Sequence, residues 1–373
     1  SIVIVSAYFG LLLWFRQGIH KAVNDNNQVD VAELPFVSVI VSARNESENI
    51  DPLLFSICQQ TYPQHLFEVI IVNDRSEDDT LTLLTNAADV YPFLKVINID
   101  ETPIGWASKK WALQSAVERS SGEILLFTDA DCAPGSTWIH SMISAFSESE
   151  TGLVSGFSPL TSSRPFLNYL FLMDSISQDG FSAGGFSRGI SLSCSGRNLA
   201  IRKKAFDDVD GYRGFSRFIS GDDDLMLQRI ASTTDWKTIF NYSNEGIVYS
   251  EGPKSIRSFI YQKLRFASKG VSYYGIDTTK SFKAILPILY STSIIVSALL
   301  ILFFVTGNLM YLIPFALKFL AEFLYTRFIF DLTKTRWSLG IFCIMSIIHP
   351  FYVVIFGGLG PFVKIKWKRP NED

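Results

Sequence analysis

Asp129 and Asp131 stand two apart directly after the apolar run Ile124-Leu125-Leu126-Phe127. That spacing lets one or both carboxylates hold a hard divalent cation whose remaining ligands are diphosphate oxygens and water. A second acidic group, Asp222-Asp223-Asp224, precedes the helical stretch Leu225 to Arg229. Acids at that position satisfy free amides and the helix dipole, or one of them acts as a general base toward an attacking hydroxyl. Lys109 and Lys110 open a helix carrying Trp111, Ala112 and Leu113, where a cation would offset phosphate charge. In Gln262-Lys263-Leu264-Arg265-Phe266 the flanking Ile256, Phe259 and Ile260 have amphipathic-helix spacing, so Arg265 is read both as a snorkelling cation at a membrane surface and as a functional residue.

These side chains need a scaffold, and the residues between them supply one. Short apolar runs at Val37–Ser42, Phe67–Val72, Leu94–Ile99 and Glu123–Phe127 alternate with helical stretches at Asn49–Gln60, Asp79–Asp89 and Lys110–Ser120. That order calls for right-handed crossovers and an α/β fold with a mostly parallel sheet covered on both faces. Ligands of such sheets sit beyond the carboxyl ends of the strands. There the chain places Ala43-Arg44-Asn45-Glu46, Asn73-Asp74-Arg75 and Asp129-Ala130-Asp131, three polar clusters expected on one edge. Neither G-x-G-x-x-G nor G-x-x-x-x-G-K-[ST] occurs, so a nucleotide here is held by carboxylates and a metal rather than by a glycine cradle.

Composition adds a membrane. Of 373 residues 48% are hydrophobic and only 18% charged, more apolar than soluble domains usually are. Ile2 to Phe15 is apolar or small throughout and ends at Arg16; no small-residue cleavage site follows, which favours an anchor over a signal peptide. Ala284 to Thr306 carries no charge, enough to cross a hydrocarbon core at about 20 residues per span. Leu309 to Phe330 is interrupted by Lys318, Glu322 and Arg327, of which the first two could pair on one helix face. Ser338 to Val363 is uncharged but contains His349-Pro350, so a kinked or re-entrant segment competes with a simple span. A net charge of −3 without basic clusters excludes a nucleic-acid partner. The four cysteines and four histidines lie too far apart to indicate zinc or a disulfide framework.

The expected domains are an N-terminal transmembrane helix over 1–16, a linker over 17–33 and an α/β domain over 34–283 with an amphipathic interface helix near 255–270. Transmembrane or re-entrant segments follow over 284–363, then a basic tail over 364–373.

Taken in order, the motifs resemble the family 2 glycosyltransferases of GT-A fold, in particular the membrane-attached branch of polysaccharide synthases and ceramide glucosyltransferases. The resemblance runs from about Pro35 to Phe266. It implies donor contacts at Ala43, Arg44 and Glu46 in the first loop, at Asp74 and Arg75 after the second strand, and at Lys109 in a K-x-x-A-L helix. Asp129 and Asp131 would be the metal motif, Asp129 also touching the donor. Gly196, Arg197 and Asn198 resemble the acceptor-side segment. Gly221-Asp222-Asp223 resembles G-[ED]-D, whose second acid, Asp223, would be the base while Asp222 faces the acceptor. Gln262, Arg265 and Phe266 resemble Q-x-x-R-W, with Gln262 and Phe266 on the acceptor and Arg265 on the donor diphosphate. Phe266 in place of Trp removes an indole N–H, and Asp222 in place of the commoner Glu shortens the side chain.

The resemblance implies an inverting, single in-line transfer from a nucleotide sugar, most often a UDP-sugar, with Mg²⁺ or Mn²⁺ as cofactor. The acceptor expected is a lipid or lipid-linked molecule at the bilayer, and the domain is expected on the cytosolic face of a bacterial inner membrane with a cytosolic tail. A processive polysaccharide synthase remains the alternative, with nucleotidyl transfer and a transporter subunit behind it.

Overall fold

The computed structural model describes residues 2–25, 33–268, 273 and 277–362. The chain opens with helix α1 (Ile2–Asp25) and then alternates β1 (Val37–Ala43), α2 (Ser47–Cys58), β2 (Phe67–Asp74), α3 (Thr80–Val90), β3 (Leu94–Ile99), α4 (Ser108–Glu118) and β4 (Ile124–Phe127). There follow β5 (Cys132–Pro134), α5 (Trp138–Ser144), β6 (Thr151–Gly156), β7 (Leu160–Thr161), α6 (Pro165–Phe186), β8 (Leu199–Arg202), α7 (Lys203–Asp208), α8 (Asp224–Thr233), β9 (Lys237–Asn241) and β10 (Val248–Glu251). The helices α9 (Ile256–Ala267), α10 (Lys280–Thr306), α11 (Ile313–Leu332) and α12 (Leu339–Leu359) come after these strands.

Residues 33–159 and 193–251 form one compact unit, built on a sheet of order β3-β2-β1-β4-β8-β6-β9. Strands β3, β2, β1 and β4 run parallel, β8 runs antiparallel to β4 and β6, and β6 pairs parallel with β9. The sheet is therefore mostly parallel, as its continuous apolar runs require: every residue of β2 is buried, and so is all of β4. Glu68, inside β2, is tolerated because it accepts from Ser38 Oγ at 2.6 Å and from the Ser121 amide at 2.6 Å and pairs with Lys95 at 2.5 Å. In register, Ala43 lies beside Asn73, so β1 and β2 end together, whereas the last residue of β4, Phe127, lies beside Ile40, three residues short of the end of β1.

The second unit joins α1, the 160–192 segment and the described residues from Gly252 onward. Four of its helical stretches are long and apolar enough to cross a membrane: Ile2–Asp25, Lys280–Thr306, Leu309–Leu332 and Leu339–Leu359. Three expectations change here. The first helix continues past Arg16 to Asp25, because Ile19 is fully buried and Gly18 leaves room for Ser187 and Arg188. The 160–192 segment, expected within the α/β domain, packs with the apolar helices: Tyr325 Oη donates to the Gly180 carbonyl at 2.7 Å. And α12 runs unbroken through His349-Pro350. The expected pairing of Lys318 with Glu322 is present at 2.6 Å, and Tyr8 Oη donates to the same carboxylate at 3.0 Å. The tail cations Lys364, Lys366, Lys368 and Arg369, and residues 26–32 of the expected linker, lie outside the described residues.

Candidate active site

The loops that leave β1 and β2 are tied to each other. Asn45 and Arg75 take the left-handed conformation, at φ 52° and 54°, and turn the chain sharply off the strand ends. Asn45 suits that geometry and uses its side chain: its Oδ1 accepts from the Glu77 amide at 2.8 Å, while its own amide donates to Ser76 Oγ at 3.0 Å. The Glu46 amide donates to Thr80 Oγ1 at 2.9 Å and the Ser47 amide to Asp78 Oδ2 at 3.1 Å. Ala43, the last residue of β1, is buried, with Arg44 next to it at the edge. Asp74 is buried too; Arg75 Nε donates to its Oδ1 at 2.9 Å and Arg75 Nη2 reaches Ser108 Oγ at 2.6 Å, joining the end of β2 to the first turn of α4.

That first turn carries Lys109. Its Nζ lies 2.8 Å from Asp129 Oδ1 and 3.1 Å from Asp222 Oδ2, so one ammonium bridges the turn after β4 and the start of α8. Burial disfavours the charge of Lys109, but Asp129 and Asp222 outweigh it and raise its pKa. Burial likewise opposes ionisation of Asp222, yet Lys109 and then Lys110 hold its carboxyl well below the usual range. The three aspartates at α8 are held differently. Asp224 is buried and accepts from Ser193 Oγ and the Cys194 amide. Asp223 caps the helix, its Oδ1 accepting from the Asp224 amide at 2.7 Å and its Oδ2 from the Gly196 amide at 3.0 Å. Gly221, at φ 84°, makes the turn that brings them there. Lys109, Asp129, Gly196, Tyr212, Asp222 and Asp223 line one cavity.

Asp131 reaches solvent, but protein crowds its carboxyl: desolvation first, then the carboxylates of Asp129 and Glu46, push it up to about 6, with Arg197 and Lys109 opposing. An accumulation of carboxylates that already draws the Lys109 ammonium suits a hard cation. Among the described residues no three His, Cys, Asp or Glu side chains form a ligand set, so the protein would supply part of the shell and a bound diphosphate and water the rest.

Gly196, Arg197 and Asn198 lead into β8. Arg197 Nη2 donates to the Ser158 carbonyl at 2.8 Å. Asn198 departs from the expectation of an acceptor contact. It is fully buried, its Oδ1 accepts from Trp138 Nε1 at 2.9 Å, and its Nδ2 donates to the carbonyls of Phe157 and Gly246 at 2.8 and 2.7 Å. It braces the core and has no surface to offer an acceptor. Gln262, Arg265 and Phe266 lie on α9, in the unit of apolar helices, with the Arg265 guanidinium 5.2 Å from the Phe266 ring. Two contributors escaped sequence reasoning: Ser108, which anchors Arg75, and Tyr212, a cavity wall ten residues ahead of the acidic cluster that no motif marks.

Residues 38–221 match the family described as glycosyl transferase family 2. The chain is 37% identical over 123 residues to the glycosyltransferase AglE of Haloferax volcanii, covering 33% of this chain and 39% of that protein. To the beta-monoglucosyldiacylglycerol synthase of Trichormus variabilis it is 27% identical over 242 residues, 65% of this chain and 50% of that protein. The chain thus spans half or less of the length of these curated relatives. Among solved structures, the mannosyltransferase PcManGT from Pyrobaculum calidifontis, determined with GDP-Man and Mn²⁺, shares the fold at a TM-score of 0.60 and 18% identity, with 97% of each chain covered. The α/β unit is accordingly GT-A-like, and its residues 38–221 are those of a family 2 glycosyl transferase domain.

Proposed function

We propose that this chain is a membrane-bound glycosyltransferase that moves a sugar from a nucleoside diphosphate sugar, with UDP the first nucleotide to test, onto a lipid or lipid-linked acceptor. The observation that carries the reading is the bridge from Asp129 through Lys109 to Asp222, with Asp223 beside it on the Gly196 amide. Cationic and acidic groups with separate tasks in one transfer are supported at a single cavity. The four apolar helices and the lipid product in the name of the Trichormus variabilis relative support a membrane acceptor. Nucleotide sugars are cytosolic metabolites, so the proposed orientation puts the α/β unit on the cytosolic face.

In the proposed reaction Asp223 takes the proton of the acceptor hydroxyl as that oxygen attacks the anomeric carbon, and the nucleoside diphosphate departs on the opposite side with inversion. Two backbone amides orient the Asp223 carboxylate for this task. Asp224 is committed to Ser193 and Cys194 and Asp222 is held on Lys109, and the choice of Asp223 as the base rests on the motif resemblance. Asp131 and Asp129 would hold Mg²⁺ or Mn²⁺, which supplies charge neutralisation of the leaving diphosphate. Lys109 adds a second positive charge there, and Asp74, Arg75, Arg44 and Glu46 flank the nucleotide side. The roles of Arg265 on the diphosphate and of Gln262 and Phe266 on the acceptor rest on the motif resemblance, and the interfacial placement of α9 rests on its amphipathic spacing, with Ile256 and Ile260 exposed.

The test is a donor screen on the full chain in lipid nanodiscs, with UDP- and GDP-sugars, Mn²⁺ or Mg²⁺, and membrane lipid extract as acceptor. Consumption of one donor, a metal requirement and loss of transfer in Asp223→Asn and Asp131→Ala support the reading. Consumption of no donor, or variants that match wild type, would refute it.

A further inference from the structure

Among the described residues three lysines are almost fully buried: Lys110, Lys263 and Lys318. A buried ammonium is costly unless its partners compensate it. Lys263 lies against Asp174 and Lys318 against Glu322, each a carboxylate. Lys110, 1% exposed, donates to two backbone carbonyls, those of Phe218 at 2.5 Å and Ser220 at 3.0 Å, with its Nζ 5.6 Å from the Phe215 ring centroid. Those carbonyls belong to the loop that leads through Gly221 into Asp222 and Asp223. The same loop is tied to the approach of α4 by a backbone bond from the Ala107 amide to the Ser216 carbonyl at 2.8 Å and by Ser216 Oγ to the Gly105 carbonyl at 3.0 Å.

Neighbouring residues on a helix point about 100° apart, so Lys109 and Lys110 leave the first turn of α4 in different directions. One meets the carboxylates of Asp129 and Asp222. The other grips the backbone just ahead of Asp222. An apolar side chain at position 110 would fill the space without a buried charge; beyond its charge near Asp222, the lysine adds a fixed distance from α4 to two defined points of the loop.

We propose that Lys110 is a positioning residue for Asp223: it holds the 215–221 loop so that Asp223 keeps its place on the Gly196 amide while Asp222 keeps its place on Lys109. This rests on Asp223 being the base. Lys110 itself touches neither substrate nor metal, so its loss slows the chemical step and leaves nucleotide binding intact.

The experiment uses the full chain in nanodiscs and compares wild type, Lys110→Met and Lys110→Arg. Binding of UDP and of GDP with Mn²⁺ is measured by calorimetry, transfer by the donor screen above, and amide hydrogen exchange across 213–224 by mass spectrometry. The expected result is nucleotide affinity within about twofold of wild type, kcat lower by roughly tenfold or more, and faster exchange confined to 213–224 in Lys110→Met, with partial recovery in Lys110→Arg. Wild-type kcat and exchange in folded Lys110→Met would overturn the proposal, and so would nucleotide affinity falling in step with kcat. If Lys110→Met does not fold, Lys110→Arg decides: the charge is kept but its reach changes, so the same split at smaller size is expected, and unchanged exchange and kcat overturn it. A wild-type chain that consumes no donor sinks the glycosyltransferase reading, and the Asp223 role with it, whereas altered exchange would still report the clamp on the loop.

Discussion

The Oδ2 of Asp223 accepts a hydrogen bond from the amide of Gly196 at 3.0 Å, across 27 positions of sequence. That contact aims a helix-capping carboxylate into the cavity it shares with Lys109 and Asp129.

Replacing Asp223 by Asn keeps the shape and, through Oδ1, the cap on the Asp224 amide, while removing the basic oxygen and with it the bond from the Gly196 amide. We expect kcat to fall about 10²- to 10⁴-fold with little change in nucleotide affinity. Calorimetry with UDP and Mn²⁺ alongside a transfer assay checks it, and equal losses in both would point to a collapsed site.

Asp131→Ala and Asp129→Ala remove proposed metal ligands. Since even residues behind a metal's direct ligands typically cost 10- to 100-fold in metal affinity, a loss of roughly that size or more is expected for Mn²⁺ in the presence of nucleotide. Mn²⁺ titration followed by electron paramagnetic resonance reads it; wild-type affinity in both variants would leave the carboxylates without a metal role.

Asn198→Ala should act on the fold. Removing the amide leaves the Trp138 indole N–H and the Gly246 carbonyl without their Asn198 partner, at about 1–3 kcal/mol for each buried group left unpaired, while the Phe157 carbonyl keeps the Val248 amide at 3.1 Å. A lower melting temperature with unchanged KM for the acceptor is expected. Unchanged stability with a raised acceptor KM would restore the ligand role that the burial argues against.

Burial works against ionisation of Glu68, but Lys95, Ser38 and the Ser121 amide outweigh it and hold its carboxyl below the usual range. A depressed folded-state pKa means stability that is present above the unfolded value of about 4.3 and lost as pH falls through the folded value. Wild type should therefore lose melting temperature more steeply than Glu68→Gln below about pH 5. Parallel curves for the two proteins would show that Glu68 does not supply the slope.

In the unit of apolar helices, Glu322→Leu alone leaves the Lys318 ammonium buried without its carboxylate and should destabilise by roughly 3–5 kcal/mol, whereas Lys318→Met with Glu322→Leu should come close to wild type. Thermal aggregation in detergent compares them. If the double variant is as unstable as the single one, the pair has a further partner that matters more.

The parallel half of the sheet was legible because its strands are buried on both faces and read as unbroken apolar runs; β3 has the bounds its residues predict, and β1, β2 and β4 differ by one or two positions. The helices shift by up to two residues, α4 starting at Ser108 rather than Lys110, since nothing in the local pattern marks the first free amide. Partnership was harder to read than periodicity. The polar run Gln17 to Asp25 looks like a linker until Gly18 is seen packed on Ser187 and Arg188, and α6 gives no sign of which unit it joins. At the site, the acidic clusters announced themselves through residue type. The division of labour between Lys109 and Lys110 did not, because the identical side chains differ only in which way their helix turns them.

The bond from Tyr8 to Glu322 joins positions 314 residues apart, and α1, α6 and α11 share one unit. The order of synthesis therefore matters. The first helix leaves the ribosome long before the carboxylate that its Tyr8 serves, and the α/β unit can be complete while the membrane unit still lacks half its helices. A nascent chain arrested before Ile313 should hold a finished, protease-resistant α/β unit on an unfinished anchor, and limited proteolysis of arrested chains would show whether the two mature at separate times.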